Sequence, residues 1–413
     1  MHSKIQILSF SSLVTVALLI TGCGSGAYQK DENPSTGTPP EINILGANPS
    51  NVYVCDTYID QNATAIDKED GNLTSQIIIT GLPMDTSKEG AQTVTYSVTD
   101  SDGNTVVETR TVNVVFPESN VTKKTGQTNS YDENGAEYHR DCILKDDGFY
   151  QMGLKSNYTR DPATETVTDH VTGLVWEDGV HVRDGQQNYT DAKNYCTSLG
   201  TDWRLPEVWE LLSIVDKSRY KPAIDPVFQY VFPSTSLGYT WSNTVVYTDT
   251  KNAWVISFDF GLDVSDVLQS RTYYGVRCVK GTPLPTPGKN YQKDSLTKII
   301  SNGNGLEWVD NDTLGIITKT WEQAIDTCEN LTIGGHSDWR LPNINEYYSI
   351  YDYERNEIDP TVFNLVQGSV KMWSSTSPAA TYLDRAWVMK QTNGDSSPVL
   401  KTDLLNFMCV RNQ

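Results

Sequence analysis

The sequence repeats itself, and that repeat constrains the fold more than any other feature. Gly173-Leu174-Val175-Trp176 returns as Gly305-Leu306-Glu307-Trp308, and Asp202-Trp203-Arg204-Leu205-Pro206 returns as Asp338-Trp339-Arg340-Leu341-Pro342. Ile224-Asp225-Pro226 returns as Ile358-Asp359-Pro360, Trp241-Ser242 as Trp373-Ser374, Ala253-Trp254 as Ala386-Trp387, and Cys278-Val279 as Cys409-Val410. The offsets stay between 131 and 136 residues, a drift that small loop insertions explain. Motifs that recur in one order at so long a period mark a duplicated domain of about 130 residues.

Two helices are expected in each copy. Thr320 and Gln323 have the form of a capping box, opening a helix that carries Ala324, Ile325 and Cys328. Asn188 takes the equivalent cap position in the first copy, ahead of Ala192 and Cys196. A second helix is expected to start at Pro206 or Pro342, because proline suits the first helical position, and to run through 209–212 and 344–350. The rest reads as short strands and loops rich in Trp, Tyr, Ser, Asn and Gly. Each copy is expected to be an α+β domain, with two helices packed on a small twisted sheet.

Residues 1–22 carry Lys4 and then an apolar stretch from Ile5 to Ile20, the pattern of a secretory signal peptide. Ile20-Thr21-Gly22-Cys23 resembles the lipobox of bacterial lipoproteins, which implies that Cys23 is acylated and becomes the new N-terminus. The acyl chains would then hold the protein to a membrane. Residues 23–40 are rich in Gly, Ser, Pro and Thr and are expected to form a flexible tether.

Residues 41–116 alternate with period two, in Val52/Val54, Ile77/Ile79 and 93–98, and are split by turn clusters at Asp70-Gly71-Asn72 and 100–104. That pattern predicts an antiparallel β-sandwich. The order of its elements resembles a bacterial Ig-like domain of exported surface proteins, which implies a spacer or stalk. The segment holds 11 acidic and 3 basic residues. Its loop acids Asp67, Glu69, Asp70, Asp100 and Asp102 leave Ca²⁺ open as a ligand, though solvated turns account for them and no EF-hand pattern occurs.

Taken together, Gly-Leu-x-Trp, the Cys-bearing helix, Asp-Trp-Arg-Leu-Pro, Ile-Asp-Pro, Trp-Ser and the terminal Cys-Val resemble the Lcl C-terminal domain, named for a collagen-like adhesin of Legionella. The resemblance covers 125–280 and 289–413, about two-thirds of the chain. It implies adhesion and glycosaminoglycan binding, and an architecture akin to C-type-lectin-like folds. The expected whole is therefore multidomain: an Ig-like β-sandwich followed by two α+β, C-type-lectin-like repeats.

Seven cysteines are present, and setting aside Cys23 leaves six in an exported chain. Repeat symmetry pairs Cys196 with Cys278 and Cys328 with Cys409, each tying the first helix of a copy to its last strand. Cys55 and Cys142 are left over; they pair with each other, remain free, or bridge to another molecule. No CxxC or Cys/His spacing points to a metal or redox site.

Catalytic signatures are lacking: neither HExxH, GxSxG nor a P-loop occurs, and the two copies share no histidine. The acids they do share, Asp202/Asp338 and Asp225/Asp359, read as fold maintenance, the first pair capping a turn or pairing with Arg204/Arg340. No catalysis and no required cofactor are expected. Aromatic side chains that stack on sugar faces are the better candidates for function. Trp241/Trp373 and Trp254/Trp387 stand at repeat positions and read as core. Tyr239, Tyr273, Tyr274 and Tyr382 are less constrained by the repeat and are the candidate ligand contacts.

The net charge of −20 and the pI near 4.6 exclude sequence-independent nucleic-acid binding, which needs clustered Lys and Arg. They also sit badly with sulfated glycans, unless a local patch such as Lys217, Arg219 and Lys221 forms. The sequence therefore predicts an exported lipoprotein of the cell envelope, at the outer membrane, whose tandem heads bind a glycan or protein ligand with added avidity. The alternatives are an envelope assembly component that binds sister proteins, or an enzyme acting on cell-wall polysaccharide.

Overall fold

The computed structural model describes residues 37–138, 142–231, 238–272, 274–315, 317–364, 370–379 and 382–413. The expected signal peptide, Cys23, most of the tether and Tyr273 lie outside the described residues. The chain divides into two compact units, one of residues up to 48 with 60–82 and 94–110, the other of 49–59, 83–93 and 111–413.

The chain begins with strands β1 (Glu41–Ile44), β2 (Ser50–Tyr53), β3 (Ala63–Asp67), β4 (Gly71–Asn72), β5 (Ile78–Thr80), β6 (Gly90–Thr99) and β7 (Thr105–Val115). In the first unit β1, β3 and β4 form one antiparallel sheet, and β5 pairs with β6. The expected alternation is present: Val94, Tyr96 and Val98 of β6 are buried, with polar residues between them. Ala65, Leu73 and Val98 form the small core. The loop acids serve the backbone. Asp67 accepts from the N–H of Glu69 and Asp70 at 2.7 and 2.6 Å, Asp70 from Ser101 at 2.7 Å, and Asp100 from Asn104 at 2.7 Å. Asp67 and Asp100 thus close their own Asx-type turns, and Asp70 bridges two loops. Among the described residues no group of three or more acids, His or Cys is placed to hold a metal ion.

In the second unit β2 runs parallel to the end of β7, from Ser50 opposite Val112 to Tyr53 opposite Val115. A strap follows, with a short hairpin of β8 (Ser130–Tyr131) and β9 (Glu137–Tyr138) and a single helical turn α1 (Asp147–Tyr150). The Cys55–Cys142 disulfide ties this strap to the segment after β2, which resolves the three readings of the leftover cysteines.

The first copy contains β10 (Tyr158–Asp161), β11 (Thr166–Asp169), β12 (Val175–Glu177), α2 (Val180–Asp184), α3 (Tyr189–Ser198), α4 (Val208–Leu212), β13 (Tyr239–Val246), β14 (Asp249–Ser257), β15 (Leu262–Leu268) and β16 (Val279–Lys280). The second contains β17 (Gln292–Lys293), β18 (Ile300–Ser301), β19 (Leu306–Val309), α5 (Trp321–Glu329), α6 (Ile344–Ile350), β20 (Tyr351–Asp352), β21 (Glu357–Ile358), β22 (Lys371–Trp373), β23 (Arg385–Lys390), β24 (Ser396–Leu400) and β25 (Cys409–Asn412). Topology repeats with sequence. Sheet β10-β11-β12-β16 matches β17-β18-β19-β25, and β13-β14-β15 matches β22-β23-β24. Each copy therefore has these two sheets where one was expected, because the last strand returns beside the Gly-Leu-x-Trp strand instead of joining the long hairpin; the second copy adds the two-stranded β20-β21.

Both symmetry-predicted disulfides are formed, Cys196–Cys278 and Cys328–Cys409, each from the first long helix to the closing strand region. Loops of 82 and 81 residues are long enough for each bond to contribute about 4–5 kcal/mol through the unfolded chain. Asn188 caps α3 by accepting from the Asp191 N–H, and Thr320 with Gln323 forms the expected capping box on α5.

The second helices start later than the prolines suggested. Glu207 and Asn343 are the N-caps of α4 and α6, so Pro206 and Pro342 stand one residue outside each helix. There their carbonyls accept from Asn243 and Ser375, stitching the helix entry to the long sheet. The partner of the repeated arginine also differs from the expected Asp. Arg204 forks onto Glu210 at 2.5 and 2.7 Å, and Arg340 onto Glu346 at 2.8 and 2.6 Å. That glutamate is the third residue of the helix and also accepts from the N-cap N–H, so one carboxylate closes both the cap and the ion pair. Asp338 instead receives Arg411 at 2.8 Å, and Asp202 sits in a turn at φ 76°. Asp225 and Asp359 accept from Val227 and Thr361, the turn role expected of them.

One apolar core runs through both copies. Trp176, Val208, Leu211 and Trp254 of the first share it with Trp308, Ile344, Tyr347 and Tyr351 of the second. Separate clusters surround the disulfides, built on Trp241 with Tyr189 and on Trp373 with Trp321 and Trp339.

Candidate ligand-binding cleft

Because the two copies share a core, equivalent parts of each come to face one another, and between them lies a cleft of about 670 Å³. One wall comes from the first copy: Trp209, Leu212 and Ser213 of α4, with Val171 and Thr172 of the turn before Gly-Leu-x-Trp. The opposite wall comes from the second copy: Asn345, Tyr348 and Ser349 at the α6 positions equivalent to those of α4, with Asn302 and Asn304 from the same turn. Linkers 284–290 and 120–123 close the ends. Neither copy forms this cleft alone.

The side chains here are held in place. The Trp209 indole N–H donates to the Leu284 carbonyl at 3.2 Å, fixing a half-buried ring against the linker. The Asn345 amide donates to the Lys123 carbonyl at 2.9 Å, and that of Asn302 to the Lys289 carbonyl at 3.2 Å. Asn304 accepts from Leu306 N–H at 3.2 Å. An Asn side chain has two N–H donors and an oxygen with two lone pairs, so each pinned amide still has capacity for a ligand.

Two cations border the cleft, and both are paired. Lys123 donates to Asp169 at 2.6 Å and to the Tyr158 hydroxyl at 2.9 Å, with burial lowering its pKa against the pull of Asp169. Lys289 donates to Asp352 at 2.5 Å and lies 3.2 Å from Glu354; the two carboxylates outweigh its desolvation and hold its pKa above the usual value. A second groove of about 890 Å³ on the second copy is polar, bordered by His336, Asp294, Lys293 and Glu307. Two of its charges are also matched, Lys293 to Asp310 at 2.7 Å and Glu307 to Arg411 at 2.5 Å, while Asp294 accepts from Leu296 and Thr297.

None of the described candidate tyrosines lines either cavity. Tyr274 is buried edge-on against Trp241, with ring centroids 5.0 Å apart, where its segment bridges to Gln187 and Thr240 and turns the ring into the core. Tyr239 is half-buried and packs edge-on against Tyr274. Tyr382 is exposed, with Arg385 5.1 Å from its ring, far from the others in role. The basic patch does not form either. Lys217 is buried, donating to the Gly261 carbonyl and to the Tyr348 hydroxyl across the repeat interface, 3.9 Å from the centroid of Trp387.

Sequence reasoning passed over Trp209, Asn345, Asn302 and Asn304. A signal was available: α4 and α6 share their capping geometry, glutamate and buried positions, yet Trp209 and Asn345 differ, as positions at the rim of the core can.

The family model of the Lcl C-terminal domain matches residues 165–280 and 298–411, and that of the bacterial surface protein Ig-like domain matches 42–114. A search of curated proteins returns no match. Among solved structures, the M60 catalytic domain with the CBM51-1 and CBM51-2 domains of Clostridium perfringens ZmpB is similar at 20% identity, over 36% of this chain and 14% of that one, with a TM-score of 0.16. CBM51-2 in complex with GlcNAc and INT domains, from the same protein, is similar at 18% identity over 58% and 43%, also with a TM-score of 0.16. The chain thus spans less than half the length of these structures, and likeness that distant bears on neither ligand nor reaction. With its two matched stretches taking in more than half of the 413 residues, the chain belongs to the Lcl C-terminal domain family.

Proposed function

We propose that this protein is a non-catalytic, surface-displayed recognition protein of adhesin type, which binds glycan in the cleft between its two Lcl domains. The cleft itself carries the reading: a fixed indole beside pinned amides, assembled from both copies. An indole offers a flat apolar face to the C–H side of a pyranose, and amides match sugar hydroxyls, each of which both donates and accepts. The perturbed carboxylates support the non-catalytic part. Asp146 and Asp147 are pushed up to about 6 and about 7 by burial, but they belong to the strap itself, bonded to Ser130, Thr125 and Thr376, and line neither cavity. Cys23 carries the lipid anchor in this reading, the Ig-like domain acts as a spacer, and no cofactor is required.

A shared cleft has a consequence for stoichiometry. Two independent heads would take two ligands, whereas one composite site takes one. Calorimetric titration of the full chain in detergent against the best ligand from a glycan array should give one site per chain. Trp209→Ala should weaken it roughly tenfold. Two equivalent sites, or binding indifferent to Trp209, would count against the cleft.

A further inference from the structure

We infer that the cleft takes an uncharged glycan, and that sulfated or carboxylated chains are not its ligands; this rests on the proposed reading of the cleft as the glycan site. Recognition of a polyanion needs cations whose charge is available, so that bound counterions are released when the chain docks. The described lining contains two cations and no carboxylate, and both cations are ion-paired. Lys123 turns its ammonium away into the first copy, onto Asp169 and the Tyr158 hydroxyl, with its side chain almost wholly buried. Lys289 is shared between Asp352 and Glu354. Two lysines against three carboxylates leave the rim slightly negative.

The polar groups that remain point the same way. Sulfate and carboxylate only accept hydrogen bonds, whereas amides such as Asn302, Asn304 and Asn345 present oxygens as well as N–H groups. The Asn302 and Asn304 oxygens each accept one backbone N–H and keep a second lone pair, which a sugar hydroxyl can fill and an anion cannot. The apolar part of the lining, with Trp209, Leu284, Pro285 and Pro287, suits the C–H face of a neutral pyranose. The lysines that could have formed a basic patch elsewhere are divided, with Lys217 consumed at the repeat interface. At longer range a net charge of −20 repels polyanions. A volume of about 670 Å³ lies in the usual range of small-ligand clefts, room for a short saccharide segment.

The test titrates the full chain in detergent with a panel of neutral oligosaccharides and with a heparin-derived oligosaccharide, at about 50 and about 500 mM salt. A neutral sugar is expected to bind with an affinity that salt leaves unchanged. Trp209→Ala should weaken it roughly tenfold. Pro285→Trp, at an exposed linker position, obstructs the cleft without touching the core and guards against a Trp209 variant that fails to fold. Binding of the heparin fragment alone, weakening steeply with salt, would overturn the uncharged ligand while glycan recognition stands. Neutral-sugar binding that survives both Trp209→Ala and Pro285→Trp would overturn the cleft as its site. Silence toward both probes would overturn the glycan reading itself, and this inference with it.

Discussion

The Asp147 carboxylate accepts a 2.8 Å hydrogen bond from the Thr376 hydroxyl, 229 residues further along the chain. In the first copy the equivalent hydroxyl, Thr244, donates at 2.6 Å to Glu207, the N-cap of its own helix. Both hydroxyls accept in turn from the first N–H of the helix, Val208 or Ile344, at 3.0 Å. The second copy has Asn343 at its cap, so the strap supplies from outside the carboxylate that the first copy carries itself. The strap belongs to the second copy as much as to the first, since Ser377 N–H also donates to Gln127 and Asn343 to the Met152 carbonyl.

This contact should make stability depend on pH. Burial pushes the Asp147 carboxyl up to about 7, against the Thr125 and Thr376 hydroxyls that favour the ionised form, with Asp146 and Glu346 adding to the rise. An unfolded Asp titrates near 3.9, so between about pH 4 and 7 the folded protein holds a proton that the unfolded chain has released. Stability should therefore fall as pH rises through that window, with a slope approaching ~1.4 kcal/mol per unit from this group. Asp146, raised to about 6, adds in the same direction. Asp147→Asn removes the titration and should flatten the profile, measured as urea unfolding at three pH values; an unchanged slope would sink the assignment.

The two repeated ion pairs should differ in their effect. Arg340 and Glu346 are almost fully buried, whereas a quarter of the Arg204 side chain is exposed beside Glu210. Removing one partner of a buried pair leaves an uncompensated charge and costs about 3–5 kcal/mol. Arg340→Ala should fall in that range and Arg204→Ala well below it, in parallel urea titrations. Equal losses would mean that burial does not set the difference.

Lys217 should couple the repeats. Its ammonium reaches the Tyr348 hydroxyl at 3.0 Å and the ring of Trp387, both in the second copy. Lys217→Ala should lower stability by about 1–3 kcal/mol through the polar groups it strands. Lys217→Met keeps the stem packed on Trp387 and should recover part of that loss. If tryptophan fluorescence and far-UV dichroism still report one coincident transition at the wild-type midpoint, Lys217 does not join the copies.

Much of each domain was legible because the information is local or repeated. Asn188, Thr320 and Gln323 announce helix starts through bonds spanning three residues, and the period-two burial of β6 follows from the strand's own geometry. The disulfides followed from symmetry, since duplicated helices must carry their cysteines to duplicated strands. The prolines misled by two residues, because proline is tolerated both inside and just outside a helix start, and only the cap bonds of Glu207 and Asn343 decide between them.

Tertiary packing decided the rest. The pattern around Trp209 states that α4 has a face outside its own core, but not what that face meets. Tyr274 and Lys217 both look like surface residues in a loop-rich, polar stretch. One is buried by the inward turn before Cys278, and the other by the second copy. Sequence alone determined that there are two like domains, how each is braced and how its first helix begins, because those depend on neighbours in the chain or on repetition. The cleft, the loss of the basic patch and the carboxylate lent by Asp147 depend on how one copy is turned against the other. That orientation is settled by shape complementarity summed over a shared core, which no local period records.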